Sequence, residues 1–291
     1  MRIAILLLFA LPSLTAAQMT TDEKKATIAF IMKLHDPATG GYRVDAKTAP
    51  GLRATSGAVR SFNYLGGDKL GLTLPNQDKT DAFVNSCYDM TTGSFHEPQG
   101  QPDVTITSVG VMTAAELGLL KLQWPRSAGY LHANAKSFEE VRIAAAALES
   151  AKLKPTWLDE WIKIADAQLN NDGTAGKSDG QSRDTASVAA MKLRLGYPVA
   201  NKVKVVEAIV KGQRADGGWG KANAKDSDLE TSYRVMRALH LLKDKPKDTK
   251  ALKAFLAKCR NPDGGYSVER GKASTLSGVY YASAISKWME R

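Results

Sequence analysis

Only two cysteines, Cys87 and Cys259, occur among the 291 residues, so the chain has room for one disulfide at most. No Ser-His-Asp order, phosphate-binding glycine loop or cysteine-nucleophile context stands out, and no segment is low in complexity. Past the first residues no stretch is apolar for long enough to span a bilayer. The net charge is +10, yet no basic block accompanies it: the densest stretch, Lys243 to Lys250, carries Asp244 and Asp248. That pattern describes a solvated connector and argues against a nucleic-acid surface.

The chain opens with Met1-Arg2, an apolar run from Ile3 to Leu11 and the small residues around Ala16-Ala17. Charge, apolar core and small-residue site in that order predict a signal peptide over residues 1–17, and hence export to the periplasm or the exterior. Residues 18–291 then form one domain.

What organises that domain is a repeat. Thr55, Thr107, Thr185, Thr231 and Thr275 each open an apolar helical stretch, and Gly66, Gly118 and Gly196 follow the first three at the same offset of eleven residues. Upstream of each threonine lies a glycine turn, with Gly40-Gly41-Tyr42, Gly93-Ser94-Phe95, Asp172-Gly173-Thr174, Gly217-Gly218-Trp219 and Gly264-Gly265-Tyr266 in order. Glycine admits the positive φ of a sharp reversal. The aromatic beside it covers the turn from the core side.

Each unit reads as two helices around such a turn. Residues 201–211 carry one apolar stripe (Val203, Val206, Ile209, Val210), whereas 228–242 are apolar over most of their circumference. Helices of the first kind lie outside and those of the second are buried on several sides. Two layers follow, and small residues such as Ala144 to Ala147, Ala186, Ala189 and Ala190 let the inner helices crowd together. The third unit is poorest, with Gly129-Tyr130 as its expected turn and 138–150 as its inner helix. Counting it gives six helical hairpins, which either stack as an open superhelix or close on themselves.

Gln213 with Gly217-Gly218-Trp219, then Asp228-Leu229-Glu230-Thr231-Ser232-Tyr233, resembles a unit of the prenyltransferase and squalene-cyclase repeat family. So does Cys259 with Asp263-Gly264-Gly265-Tyr266, then Ser274-Thr275. The resemblance implies an all-α fold, an α/α toroid with inner helices around a central cavity, and a chain length like that of a protein geranylgeranyltransferase β subunit. In such a ring Cys87 and Cys259 stand two hairpins apart, too far to bridge.

Function does not follow from the fold. Protein prenyltransferases hold zinc on an Asp-x-Cys pair and a His, and here those positions read Glu230, Ser232 and Ser274. Only Glu230 is a zinc donor, so no metal and no cofactor is expected. Class II terpene cyclases protonate an alkene from an Asp-x-Asp-Asp-Thr-Ala segment, of which Asp184-Thr185-Ala186 remain after Gln181 and Arg183. Arg183 is expected to favour an ionised carboxylate there.

Several residues remain as site candidates. Thr55, Thr107, Asp184, Thr231 and Ser274 fall near inner-helix starts, where capping competes with ligand contact. His96 and Glu97, with Asp103 in the same loop, have the types of a metal or acid-base group. Tyr233, Tyr280 and Tyr281 on inner helices present faces for an apolar or cationic guest, with Thr231 and Arg183 nearby in sequence. Asp184, Glu230 and Glu97 are the carboxylates of a polysaccharide-acting site if they face one another. The reading that fits best is a binding or interaction protein, its cavity holding an apolar small molecule or a protein segment. A transferase-type enzyme with altered ligands stands second.

Overall fold

The computed structural model describes residues 19–119 and 123–290; the expected signal peptide lies outside them. Six hairpins follow in order. They are α1 (Thr21–Lys33) with α2 (Leu52–Leu65), α3 (Gln77–Ser86) with α4 (Val104–Leu117), α5 (Trp124–Asn134) with α6 (Phe138–Ala151), α7 (Leu158–Asp166) with α8 (Gln181–Arg194), α9 (Lys202–Lys211) with α10 (Leu229–Leu242), and α11 (Thr249–Cys259) with α12 (Leu276–Trp288). Each even-numbered helix packs against the even-numbered helices before and after it, and α12 packs against α2, so the inner layer is a closed ring. The odd-numbered helices lie outside. Among the described residues no helix is long and apolar enough to cross a membrane.

Glycine turns carry the join between units. Gly40, Gly93, Gly173, Gly217 and Gly264 all have φ between 79 and 98°. A side chain at four of the five would also run into the next outer helix, at Lys79 for Gly40, Arg126 for Gly93, Ala251 for Gly217 and Ala26 for Gly264, and at Gly173 it would press on Ala200, which leads into the next outer helix. Both the left-handed backbone and the close approach demand glycine. The fifth contact joins the last unit to α1.

Four of the five repeat threonines sit in the first turn or so of their inner helices, and only Thr275 is a cap. Thr55, Thr107 and Thr185 accept hydrogen bonds from the backbone N–H groups of Tyr42, Phe95 and Ala175 at 3.0, 3.1 and 2.9 Å, pinning turn to helix. In the fifth unit Ser232 takes this place, accepting from Trp219 at 2.9 Å, while the hydroxyl of Thr231 donates to Asp228. Side-chain caps come from Asp103, Ser137, Asp228 and Thr275. Gly66 and Gly118 end α2 and α4 in the left-handed region, which explains the offset of eleven: it is the length of a helix from its first turn to its cap.

The turn expected at Gly129-Tyr130 is absent, because both residues lie within α5 and only 135–137 connect it to α6. Tyr42, Phe95, Trp219 and Tyr266 are buried between the two layers and belong to the core. Cys87 and Cys259 are free and buried, their thiols pushed up to about 11 and about 12 by burial.

Candidate functional site

Inside the ring lies a cavity of about 400 Å³ whose wall draws on α2, α4, α6, α8, α10 and α12. That volume suits a single small organic molecule. Val109, Ile143, Ala146 and Ala190 supply apolar wall; Tyr233, Tyr280 and Tyr281 supply aromatic wall. Charged groups also line it, with six arginines (Arg53, Arg60, Arg142, Arg194, Arg234, Arg237) against three glutamates (Glu139, Glu140, Glu230). These arginines are what the sequence reading missed. They stand on the inner helices α2, α6, α8 and α10, and on a helix packed on several sides such a charge has to face a lumen.

The aromatic residues form a connected layer. Tyr233 and Tyr280 share a hydroxyl–hydroxyl hydrogen bond of 2.8 Å, and the ring of Tyr233 lies 5.3 Å from that of Trp288 and 5.1 Å from that of Tyr281. Cations of the chain itself already lie against two rings of this layer. The guanidinium of Arg60 lies 4.9 Å from the Tyr280 ring centre and that of Arg237 lies 5.2 Å from the Trp288 ring. Cation–π contact holds these arginines in place from within the chain.

Charge perturbs the phenols in opposite directions. Burial works against ionisation of Tyr233, but Arg237, Arg60, Arg194 and the hydroxyl of Tyr280 outweigh it and bring the phenol down to about 8. Tyr280 is pushed well above its ordinary value by burial. Joined by their hydrogen bond, the two phenols titrate as a pair. Burial and the neighbouring Arg237 bring Arg194 down to about 10, against the pull of Glu149, so it stays charged at neutral pH.

The other candidate residues are placed as follows. Glu97 accepts hydrogen bonds from the N–H groups of Leu52 and Arg53 at 2.5 and 3.0 Å, capping α2 from the next unit. Asp103 caps α4 by accepting from Ile106, and His96 Nδ1 bonds the carbonyl of Glu97. These three side chains are taken up by local structure. Glu230 lines the cavity, paired with Arg234 at 3.0 Å. Asp184, Arg183 and Thr231 are outside its lining. Asp184 lies 3.8 Å from Arg183, yet burial outweighs that neighbour and raises its carboxyl above the ordinary range, contrary to the expected effect of Arg183.

A zinc ion does not fit the positions the resemblance marks for one. Ser232 serves Trp219, Ser274 donates to Asp263 at 2.8 Å, and Glu230 serves Arg234. Among the described residues no three His, Cys, Asp or Glu side chains are grouped to hold a metal.

Solved structures share the fold across nearly the whole chain. A variant of the type II terpene cyclase MstE from Scytonema, in complex with geranylgeranyl dihydroxybenzoate, superposes with a TM-score of 0.61 at 13% identity, covering 92% of this chain and 96% of that one. A structure described as a wild-type glycosidase gives 0.60 at 15%, covering 96% and 98%. A protein from Actinoplanes gives 0.60 at 14%, covering 92% and 98%. No curated protein matches in sequence. The model of the prenyltransferase alpha-alpha toroid domain matches residues 1–141 and again 142–291, and the chain belongs to that family.

Proposed function

We propose that this toroid is an exported binding protein whose central cavity holds one small amphiphilic organic molecule, without the zinc of protein prenyltransferases or the alkene-protonating acid of terpene cyclases. The observation that carries the reading is the cavity wall, in which apolar and aromatic surface adjoins buried arginines while the groups that zinc or proton chemistry would need are engaged elsewhere or lie outside it. Apolar wall with a few fixed polar groups is the make-up of a ligand site. The terpene cyclase that shares the fold binds a geranylgeranyl compound, which agrees with a partly apolar guest. Export rests on residues 1–17 alone.

Native mass spectrometry of the protein, isolated gently from its own cells, tests this reading. A retained organic mass in one-to-one ratio is expected, together with a mature chain beginning at Gln18. A protein that is empty, or that carries stoichiometric zinc, would overturn it.

A second reading, an enzyme acting on an isoprenoid or other apolar substrate, has one specific support. The phenol of Tyr233, brought down to about 8 at the cavity wall, is suited to exchanging a proton with a bound molecule. The polysaccharide reading is weaker, since Glu97 is bound to the start of α2 and Asp184 lies outside the cavity lining.

A further inference from the structure

Five links carry the chain from an inner helix to the next outer helix, and four of them lay apolar side chains on the core. Leu70, Leu72 and Leu74 do so between α2 and α3, and Leu119 between α4 and α5. Leu153 and Trp157 follow between α6 and α7, then Tyr197 and Val199 between α8 and α9. In the first link residues 72–74 have neither helical nor turn structure, and the leucines stand at alternate positions.

At the seam no such link exists, because α12 and α1 are the last and first helices of the ring. The chain reaches α1 through Met19, one residue before the cap Thr20, and Met19 packs on the core as link residues do elsewhere. A cavity of about 300 Å³ is open here. It runs from Ser286 and Met289 at the end of α12 to Met19 and Glu23 at the start of α1, the two points that a link would join. It shares no lining residue with the central cavity.

Leu256 and Met289 contribute apolar wall, and Lys253 and Arg260 contribute positive charge. Lys253 stands six residues before Cys259 as Ile28 stands six before Leu34, yet Ile28 is fully buried and Lys253 only half-buried. The same helical position is closed in the first unit and open at the seam. Among the described residues neither Lys253 nor Arg260 has a carboxylate in ion-pair range, and Nε of Arg260 is buried without an acceptor. Glu23, the one acid in the wall, accepts from the N–H of Thr20 at 2.8 Å and is committed to the cap of α1.

We propose that this seam groove docks an extended segment of a partner protein, apolar at alternate positions and carrying an acidic group, which lies where the ring's own links lie at other joints. The chemistry of the guest is read from the links it imitates and from the charges that meet it. Its apolar side chains enter against Leu256 and Met289, and its acid meets Lys253 and Arg260. A volume of about 300 Å³ is small for a ligand site and suits a few side chains of a peptide. The groove lies outside the central chamber, and it depends on the export reading in one respect. A mature chain that begins at Gln18 has a single residue ahead of Met19, too little to fill the groove itself.

Fluorescence anisotropy with a labelled peptide copying residues 68–76 tests the assignment on protein made to begin at Gln18. This peptide carries Asp68 and the three leucines, and it is expected to bind one-to-one. The same peptide with serine for its leucines should bind about tenfold or more weaker. Ser286→Trp, which fills the groove, should abolish binding, Lys253→Glu should weaken it severalfold, and Lys225→Gln on the exposed surface should leave it unchanged. Circular dichroism checks folding, and Lys253→Glu, on an outer helix, decides the matter should Ser286→Trp fail to fold. A serine peptide that binds as tightly as the leucine peptide, binding that both groove variants leave intact, or no binding at all would overturn the groove. N-terminal sequencing of protein from its own cells keeps the two claims apart: a start other than Gln18 counts against export, whatever the peptide does.

Discussion

Thr27 donates its hydroxyl to the carbonyl oxygen of Gly264 at 2.9 Å, across 237 positions of chain, and so repeats the bond that Thr80 makes to Gly40 at the same distance. The seam between first and last hairpin is thus built like an internal joint. Leu276 at the start of α12 extends the match, donating its N–H to the carbonyl of Val44 as Leu229 donates to that of Val268. An ion pair between Lys24 and Glu290 at 2.9 Å crosses the same seam. Closure follows from a rule that five of the six units obey: a positive-φ glycine seats on the next outer helix or its lead-in.

Gly264→Ala should therefore cost more than a left-handed glycine alone explains. At Gly71, also left-handed, a Cβ meets nothing within 4 Å, and alanine should cost about 1–2 kcal/mol. At Gly264 a Cβ would lie 2.6 Å from the carbonyl oxygen of Ala26, so the loss should exceed that of Gly71→Ala by about 2 kcal/mol. Urea denaturation of the two variants makes the comparison, and equal losses would show that the seam is loose.

Glu97→Ala separates a structural role from a chemical one. Its carboxylate serves two otherwise unpartnered N–H groups of α2, so its removal should lower stability by about 1–2 kcal/mol. Ligand affinity should stay the same, because Glu97 is not part of the cavity wall. A variant of undiminished stability and altered binding would reverse that assignment.

Layers, repeat and turns were legible in the sequence because helix geometry fixes them locally. From a first-turn threonine such as Thr55 to its cap Gly66 is one inner helix, so the spacing is a length made visible. Gly129 misled because a glycine on an exposed helical face, where a Cβ meets nothing, looks the same in sequence as a turn glycine. The arginines were hidden for another reason. On helices packed against neighbours on several sides, periodicity does not say which side faces the ring centre, and Arg60, Arg194 and Arg237 stand on three helices far apart in the chain. Only closure brings them to one place.

Glu149→Gln removes the one acid that Arg194 and Arg237 share. Glu149 is 30% exposed, which lowers the cost below that of a fully buried pair, to about 1–3 kcal/mol. With the excess positive charge increased, sulfate or phosphate should stabilise this variant more than the parent. Thermal unfolding at constant ionic strength, with chloride exchanged for sulfate, reads the difference. The same increment in both proteins would mean that no anion enters beside these guanidiniums.

Tyr233 gives the cavity a signature in pH. In the folded protein its phenol is held at about 8 by Arg237, Arg60, Arg194 and Tyr280 against the cost of burial, whereas the unfolded chain ionises near the ordinary value of 10. A depressed folded value contributes stability that is fully present above pH 10 and is lost as the pH falls through 8. The stability of the parent relative to Tyr233→Phe should therefore be flat below pH 8 and rise by about 2–3 kcal/mol between 8 and 10. Absorbance at about 295 nm, where phenolate absorbs, should show one tyrosine titrating near 8 in the parent and none in the variant.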